Sequence, residues 1–269
     1  MWFILLVLVC VFWFGNYTIQ TSYYHFFTNK KFKNGNSFRV LHLSDFHNNG
    51  HFLHKIKNKV IEANPDVIVI TGDVVAKRKY DETMKLFDWL NHMNYQVYFS
   101  TGNHETYMNE DEFSIFKKVM RNTGVVLCDK KVLDCETKND VERICIYGIS
   151  GLEQVKRKIS FEINELQPSS FNIVLMHQPE CIELQEICKN PNIDIIFSGH
   201  AHGGQWINPF TKTGTYAPNQ GLFPKYTFGE YKVKNIRMYL SRGIGTLIPY
   251  IPRIFNRPHI ICVDIHSKC

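Results

Sequence analysis

None of the eight cysteines in this 269-residue chain forms a Cys-x-x-Cys pair, which argues against a zinc ribbon or a thiol redox motif. Eight in this length are also too few for a disulfide scaffold, so free thiols are expected. No segment recurs with a period of ~20–50 residues, which excludes a solenoid or propeller. There is no large excess of charge either: Lys and Arg total 31 against 25 Asp and Glu, a net +6. The basic residues are scattered without an arginine-rich stripe, so no nucleic-acid partner is expected. The mild excess favours anionic substrates or surfaces but equally suits plain solubility. Finally, with 44% hydrophobic and 14% aromatic residues, the chain lacks the apolar poverty of a disordered polymer.

Long apolar runs are absent except at the start. Residues 2–14 are unbroken hydrocarbon and aromatic side chain, but as a helix they cover only ~20 Å of a ~30 Å bilayer core. Extension to Ile19, with Asn16 and Thr18 at the interface, brings the run close to a full span. A basic start and a small-residue cleavage site are both missing, so the expectation is an uncleaved single-pass anchor helix and a membrane-associated protein. A cleaved signal or a buried terminal segment are the alternatives. Lys30, Lys31 and Lys33 favour a cytoplasmic main domain, but they lie more than ten residues past the run, so the side stays open. The chain divides into an anchor and linker, 1–36, and one globular domain, 37–269.

From residue 37 the chain alternates short β-branched runs with amphipathic stretches. Strands are expected at 38–43, 67–70 and 97–100, with helices near 52–63, 82–93 and 111–121. This is an α/β pattern. After Gly124 strands dominate, at 125–127, 131–135, 143–147, 172–176, 193–197, 236–240 and 260–265, with a helix near 180–188. Two facing sheets with helices outside accommodate this order better than one doubly wound sheet.

Polar residues collect just past these strands, where α/β folds place ligand sites. They are Asp45 and His47, then Asp73, then Asn103 with His104, then His177, then His200 and His202. Any one such motif is weak, but five successive strand ends carrying Asp, Asn or His would need five unrelated accidents. Imidazole, carboxylate and amide oxygen suit borderline to hard divalent ions, and no cysteine stands among them. Seven donors (Asp45, His47, Asp73, Asn103, His177, His200, His202) exceed one tetrahedral shell and furnish two cations if Asp73 bridges. Two divalent ions against two carboxylates leave a +2 residue, a trap for phosphate that also acidifies water. His104 is surplus to that count and is placed to hydrogen-bond a phosphoryl oxygen or protonate a leaving alkoxide.

The set D-x-H, G-D, G-N-H-[DE], H, G-H-x-H, complete from Asp45 to His202, resembles the calcineurin-like metallophosphoesterases. The resemblance implies a four-layer α-β-β-α sandwich, two facing mixed sheets flanked by helices, and a dinuclear site. It implies that Asp45, His47, Asp73 and His202 hold one metal, and that Asp73, Asn103, His177 and His200 hold the other. His104 would then act catalytically, with in-line attack by a metal-bridging hydroxide. The metal (Mn²⁺, Fe or Zn²⁺) and the oligomeric state are left open.

The tail narrows the resemblance. Gly203-Gly204-Gln205, 221–225, 229–231, 241–245 and Asn256-Arg257-Pro258 look like the bacterial membrane-associated phosphodiesterase branch, though His259 stands where that branch usually has an acidic residue. The protein-phosphatase signature G-D-x-x-D-R-G is missing after Gly72-Asp73. A phosphodiester or pyrophosphate substrate, small-molecule or lipid-linked, is therefore expected, with a phosphomonoesterase or a non-catalytic scaffold as alternatives. Arg242 is taken as a substrate-binding residue. The apolar, proline-containing stretch 246–255 is expected either beside the metal mouth, touching lipid or an acyl chain, or packed beneath a loop.

Overall fold

Short apolar strands whose side chains alternate between two packed faces build the fold. The computed structural model describes residues 2–30, 32, 37–76, 79–135, 144–246 and 251–268. Lys31, Lys33, Arg143, Leu247 and Ile248, on which expectations bore, lie outside the described residues. The helices are α1 (Trp2–Tyr17), α2 (Leu53–Ala63), α3 (Asp81–His92), α4 (Asn103–Thr106), α5 (Glu110–Arg121), α6 (Gly151–Lys156) and α7 (Gln185–Cys188). The strands are β1 (Gln20–Thr28), β2 (Phe38–Leu43), β3 (Val67–Thr71), β4 (Val97–Ser100), β5 (Val126–Leu127), β6 (Val132–Cys135) and β7 (Ile144–Ile149). They continue with β8 (Phe171–Met176), β9 (Ile195–Ser198), β10 (Tyr216–Ala217), β11 (Gly221–Leu222), β12 (Gly229–Val233), β13 (Ile236–Leu240) and β14 (His259–Ser267).

Two six-stranded sheets result, ordered β1-β14-β2-β3-β4-β5 and β12-β13-β9-β8-β7-β6. Both are mixed. β14 runs antiparallel to β2 in the first, and β12 and β6 run antiparallel to their neighbours in the second. The two-residue side-chain period explains the layering. In β3, Val67 and Val69 point into the core between the sheets, where Phe171, Ile173, Ile195 and Phe197 meet them. Ile68 and Ile70 point the other way and pack with Ile56, Val60, Leu86, Phe87 and Phe116 of α2, α3 and α5. The far face of the second sheet, Tyr147, Val174 and Ile196, covers a third core with Ile163, Ile182 and Ile187. Three cores thus separate four layers.

Local signals account for the helices. Ile56, Val60 and Ala63 of α2 are buried on one face, the i, i+4, i+7 spacing of an amphipathic helix, and Asn64 closes it in the left-handed conformation. Asn109 and Glu112 form a reciprocal cap at the start of α5. The helix expected at 180–188 is split. A 3-10 turn, Pro179–Glu183, ends at Leu184 with an extended ψ of 140°, and only α7 follows.

The N-terminal expectation needs correction. α1 does form, but its 16 residues rise only ~24 Å, and no described helix is long and apolar enough to cross a membrane. The helix ends early because its last turn is tied to the domain. Asn16 donates to the Arg253 carbonyl (3.0 Å) and accepts from the Arg253 amide (2.7 Å). The segment expected as linker then becomes β1, paired in parallel with β14 from Gln20↔His259 to Thr28↔Ser267.

Candidate metal centre

The chain leaves β2, β3, β4, β8 and β9 at their carboxyl ends, and a donor follows each within three residues. The turns are sharp. Asp45 (φ 53°), His47 (49°), Asp73 (51°), His200 (67°) and His202 (47°) all adopt the left-handed conformation. That costs roughly 1–3 kcal/mol per residue and persists where surrounding structure overrides it, typically at functional sites. Glycine opens the space. A Cβ at Gly199 would strike Ser44 Oγ and the Asp45 carboxylate, and one at Gly102 would strike Asp73 Oδ1.

The donors face one another in two neighbouring groups that share a wall. His202 Nε2 lies 3.3 Å from Asp45 Oδ1 and 3.3 Å from His47 Nε2. His177 Nε2 lies 3.1 Å from Asp73 Oδ2 and 3.1 Å from His200 Nδ1. Asp73 Oδ2 is also 4.0 Å from His47 Nε2, so this carboxylate borders both groups. Two atoms bound to one cation at ~2.0–2.2 Å in a tetrahedron sit about 3.3–3.6 Å apart, and slightly closer in wider shells. The donor spacing is of that order. Asn103 Oδ1 is buried with no hydrogen-bond partner, an orphan that a cation would satisfy. Carboxylate, imidazole and amide donors fit divalent metal ions, and Asp45–His47–His202 and Asp73–His177–His200 are each close enough to hold one.

Outer partners fix the rings. His177 Nδ1 lies 2.7 Å from the Thr71 carbonyl. A carbonyl only accepts, so Nδ1 carries the proton and Nε2 is left to face the cluster. Asn219 sits 3.1 Å from the outer nitrogen of His200. Burial pushes His47 down to about 4 and His200 to about 3, and His202 well below its usual value, so these imidazoles are neutral. Asp45 is pushed up to about 6, chiefly by burial. His177 behaves oppositely: burial disfavours its charge, but the Asp73 and Asp45 carboxylates outweigh that and hold it up to about 10.

His104 stands at the rim. Its side chain is 33% exposed, its Nε2 is 3.9 Å from Asp73 Oδ2, and its backbone amide donates to Asp73 Oδ1 at 2.8 Å. With His47, Asp73, Asn103, His200 and His202 it lines an open cavity of about 400 Å³.

Arg242 and the described part of the 246–255 stretch lie away from the cavity, the latter taking the second of its two expected placements, packed beneath a loop. Arg242, expected to bind substrate, is buried, donates to Gln20 Oε1 at 2.6 Å and lies over the Phe228 ring, because pairing β1 beside β14 brings Gln20 over it. Arg253, buried to 1% exposure, caps the carbonyls of Arg242, Gly243 and Gly245, and the amides of Ile244 and Gly245 donate to the carbonyls of Ser44 and Asp45. The 246–255 stretch therefore braces the metal-facing turn from behind, while Ile251 and Phe255 are exposed.

Sequence reasoning missed several contributors. Glu105 is buried, and its carboxylate accepts from the amides of Asp73 (2.9 Å), Val74 (2.9 Å), Val75 (3.2 Å) and Gly102 (2.7 Å). It thereby clamps the turns carrying Asp73 and Asn103 together, and the acidic position closing G-N-H-[DE] was its signal. Tyr107, Gln154, Arg157, Gln178 and Asn219 also line the cavity. No motif marked them.

Comparison with known proteins agrees with this geometry. The sequence profile of the calcineurin-like phosphoesterases matches residues 38–204. A metallophosphoesterase of Campylobacter jejuni is 28% identical over 245 residues, covering 86% of this chain, which spans only 59% of that protein's length. The UDP-2,3-diacylglucosamine pyrophosphatase LpxG of Chlamydia muridarum is 26% identical over 272 residues, covering 80% of each chain. The TT1561 structure of Thermus thermophilus shares the fold with a TM-score of 0.50 at 11% identity, covering 78% of this chain and 90% of that one.

Proposed function

The chain belongs to the calcineurin-like phosphoesterase family and is a phosphoester hydrolase, and on that premise we propose that it cleaves phosphodiester or pyrophosphate bonds at a dinuclear site. Asp45, His47, Asp73 and His202 would hold one divalent ion, and Asp73, Asn103, His177 and His200 the other. The observation that carries this reading is the shared Asp73 wall between two donor groups at ligand-like spacing. Such an ion pair, when bound, supplies charge to neutralise phosphate and water acidified towards neutral pH. The protein's own part is positional. Glu105 and the left-handed turns hold the carboxylates, Thr71 sets the His177 tautomer, and His104 reaches the cavity where it can donate to a phosphoryl or leaving oxygen.

A pyrophosphate linkage is supported by LpxG, whose name records a pyrophosphatase. A panel of monoester, diester and sugar-nucleotide pyrophosphate with Mn²⁺, Fe²⁺ and Zn²⁺ tests the reading. Turnover of the two diester classes above the monoester is expected, and inertness on all three would end it.

Metal uptake should depend on pH. Without metal, His177 is protonated at neutral pH, and coordination through Nε2 requires that proton to leave. Affinity should rise about tenfold per pH unit between about 6 and 10, and more steeply below about 6, where Asp45 also carries a proton. Calorimetry in buffers of different ionisation enthalpy should detect close to one proton released per protein at pH 7.5, from His177. No release would contradict the His177 assignment.

We further propose that α1 rests at a bilayer interface. Trp2, Leu6, Val9 and Trp13 are exposed along it, Ile251 and Phe255 are exposed on the stretch whose Arg253 holds Asn16, and the Arg257 guanidinium lies 4.2 Å from the centre of the Phe14 ring, a combination suited to apolar insertion beside anionic headgroups. Binding to phosphatidylglycerol vesicles should fall at least tenfold when Leu6, Val9 and Trp13 are changed to serine. Unchanged binding would refute it.

A further inference from the structure

The cavity wall away from the donor groups carries one fixed cation among its described lining residues, Arg157. It closes α6 as the residue after Lys156, in the left-handed conformation (φ 50°, ψ 38°). Helices that end this way favour glycine or asparagine there, because a Cβ is strained. An arginine tolerated at that point directs attention to its side chain. α6 is also held firmly. Ser150 and Glu153 cap its start reciprocally. Gln154, wholly buried, donates to the Ile149 carbonyl (2.7 Å) and accepts from the Gln178 amide (2.5 Å), joining the ends of β7 and β8. Gly151 packs against the Gly102 carbonyl, directly before Asn103 and His104.

Arg157 is charged and uncommitted. Among the described residues its guanidinium makes no hydrogen bond or ion pair, although its field reaches Glu180 and Glu183. Neither carboxyl occupies it. Glu183 is already paired with Lys225 at 2.5 Å, and Glu180 is buried and forms no ion pair with Arg157 among the described residues.

We propose that Arg157 binds the second phosphate of a pyrophosphate-type substrate, the one not under attack, and so selects substrates with two adjacent anionic phosphates. This rests on the phosphoester-hydrolase reading above and adds the residue that distinguishes a pyrophosphate from a simple diester. The geometry suits it: a planar guanidinium binds phosphate through paired hydrogen bonds, and Arg157 lines the same cavity as His104 and the donor cluster.

The test compares the full chain with Arg157→Ala and Arg157→Lys, using Mn²⁺, on UDP-N-acetylglucosamine and on bis(p-nitrophenyl) phosphate. Arg157→Ala should lower kcat/KM for the pyrophosphate by about 10- to 100-fold, mainly through KM, and at least tenfold more than for the diester. Arg157→Lys should recover part of the loss. In parallel, calorimetry should show methylenediphosphonate binding weakened at least fivefold more than orthophosphate binding. Equal losses on both substrates, or equal effects on both anions, would overturn the proposal. If the wild type hydrolyses neither substrate, the phosphodiester-or-pyrophosphate reading fails at that step, and the diphosphonate comparison still decides the role of Arg157. Because the side chain is exposed, the variants should retain the wild-type Tm.

Discussion

Asp73→Asn is expected to abolish turnover, with kcat/KM at least 10³-fold below wild type and bound metal reduced from the two equivalents proposed above towards one or none. The substitution is nearly isosteric, and an amide oxygen can still accept from the His104 amide as Asp73 Oδ1 does at 2.8 Å. What disappears is one of only two carboxylate charges in the cluster and the anion 3.1 Å from His177 Nε2. Two divalent ions would then face a single negative charge, with mutual repulsion that neutral imidazoles cannot offset. Elemental analysis after gel filtration reads the metal. A cooperative thermal transition of the metal-free protein, at a lowered Tm because His177 loses the anion that holds its proton, separates this from failure to fold. Retention of two metals and a rate within tenfold would remove Asp73 as the shared ligand.

His104→Ala should leave metal content near wild type and lower kcat by about 10²–10⁴, the range usual for a positioned acid or base. His104 is more exposed than His47, 33% against 12%, and its ring centre is 4.6 Å from that of His47 at the mouth, where it forms a third donor group with His47 and Asp73. Its two possible roles separate by leaving group. If His104 protonates the departing oxygen, the loss should be large for alkyl esters and small for p-nitrophenyl esters. If it only orients the phosphoryl group, the loss should be similar for both. Loss of one metal equivalent would instead make it a ligand, which its 3.9 Å approach to Asp73 Oδ2 permits geometrically.

Much of the fold and site was legible because its signals are local. Val67-Ile-Val-Ile70 alternates between two cores whatever surrounds it, and Ile56, Val60 and Ala63 mark a helix face by spacing alone. The donors were visible because chemistry restricts ligand types and because strand ends are where chain direction changes. Less legible were short elements held by distant partners. α6 has six residues and owes its place to Gln154 reaching Ile149 and Gln178. β1 alternates in the fold, Tyr24 and Phe26 packing on the inter-sheet core while Tyr23, His25 and Phe27 are exposed. Its paired aromatics, Tyr23-Tyr24 and Phe26-Phe27, show no polar–apolar alternation in the sequence, and it exists because β14 offers it an edge. The apolar head reads as a span by composition, but Asn16 meeting Arg253 ends the helix at Tyr17.

The sequence by itself determined which atoms are available: two carboxylates, four imidazoles and an amide after five strands, with a histidine to spare. Donor chemistry is a property of single residues, and strand periodicity a property of neighbours. Only the tertiary structure decided how they group. His47 and His202, 155 residues apart, come within 3.3 Å, Arg242 turns inward to Gln20, and Arg157 is the arginine that reaches the cavity. Those outcomes depend on sheet pairing and on left-handed turns that re-aim side chains, and both are set by contacts between segments distant in the chain.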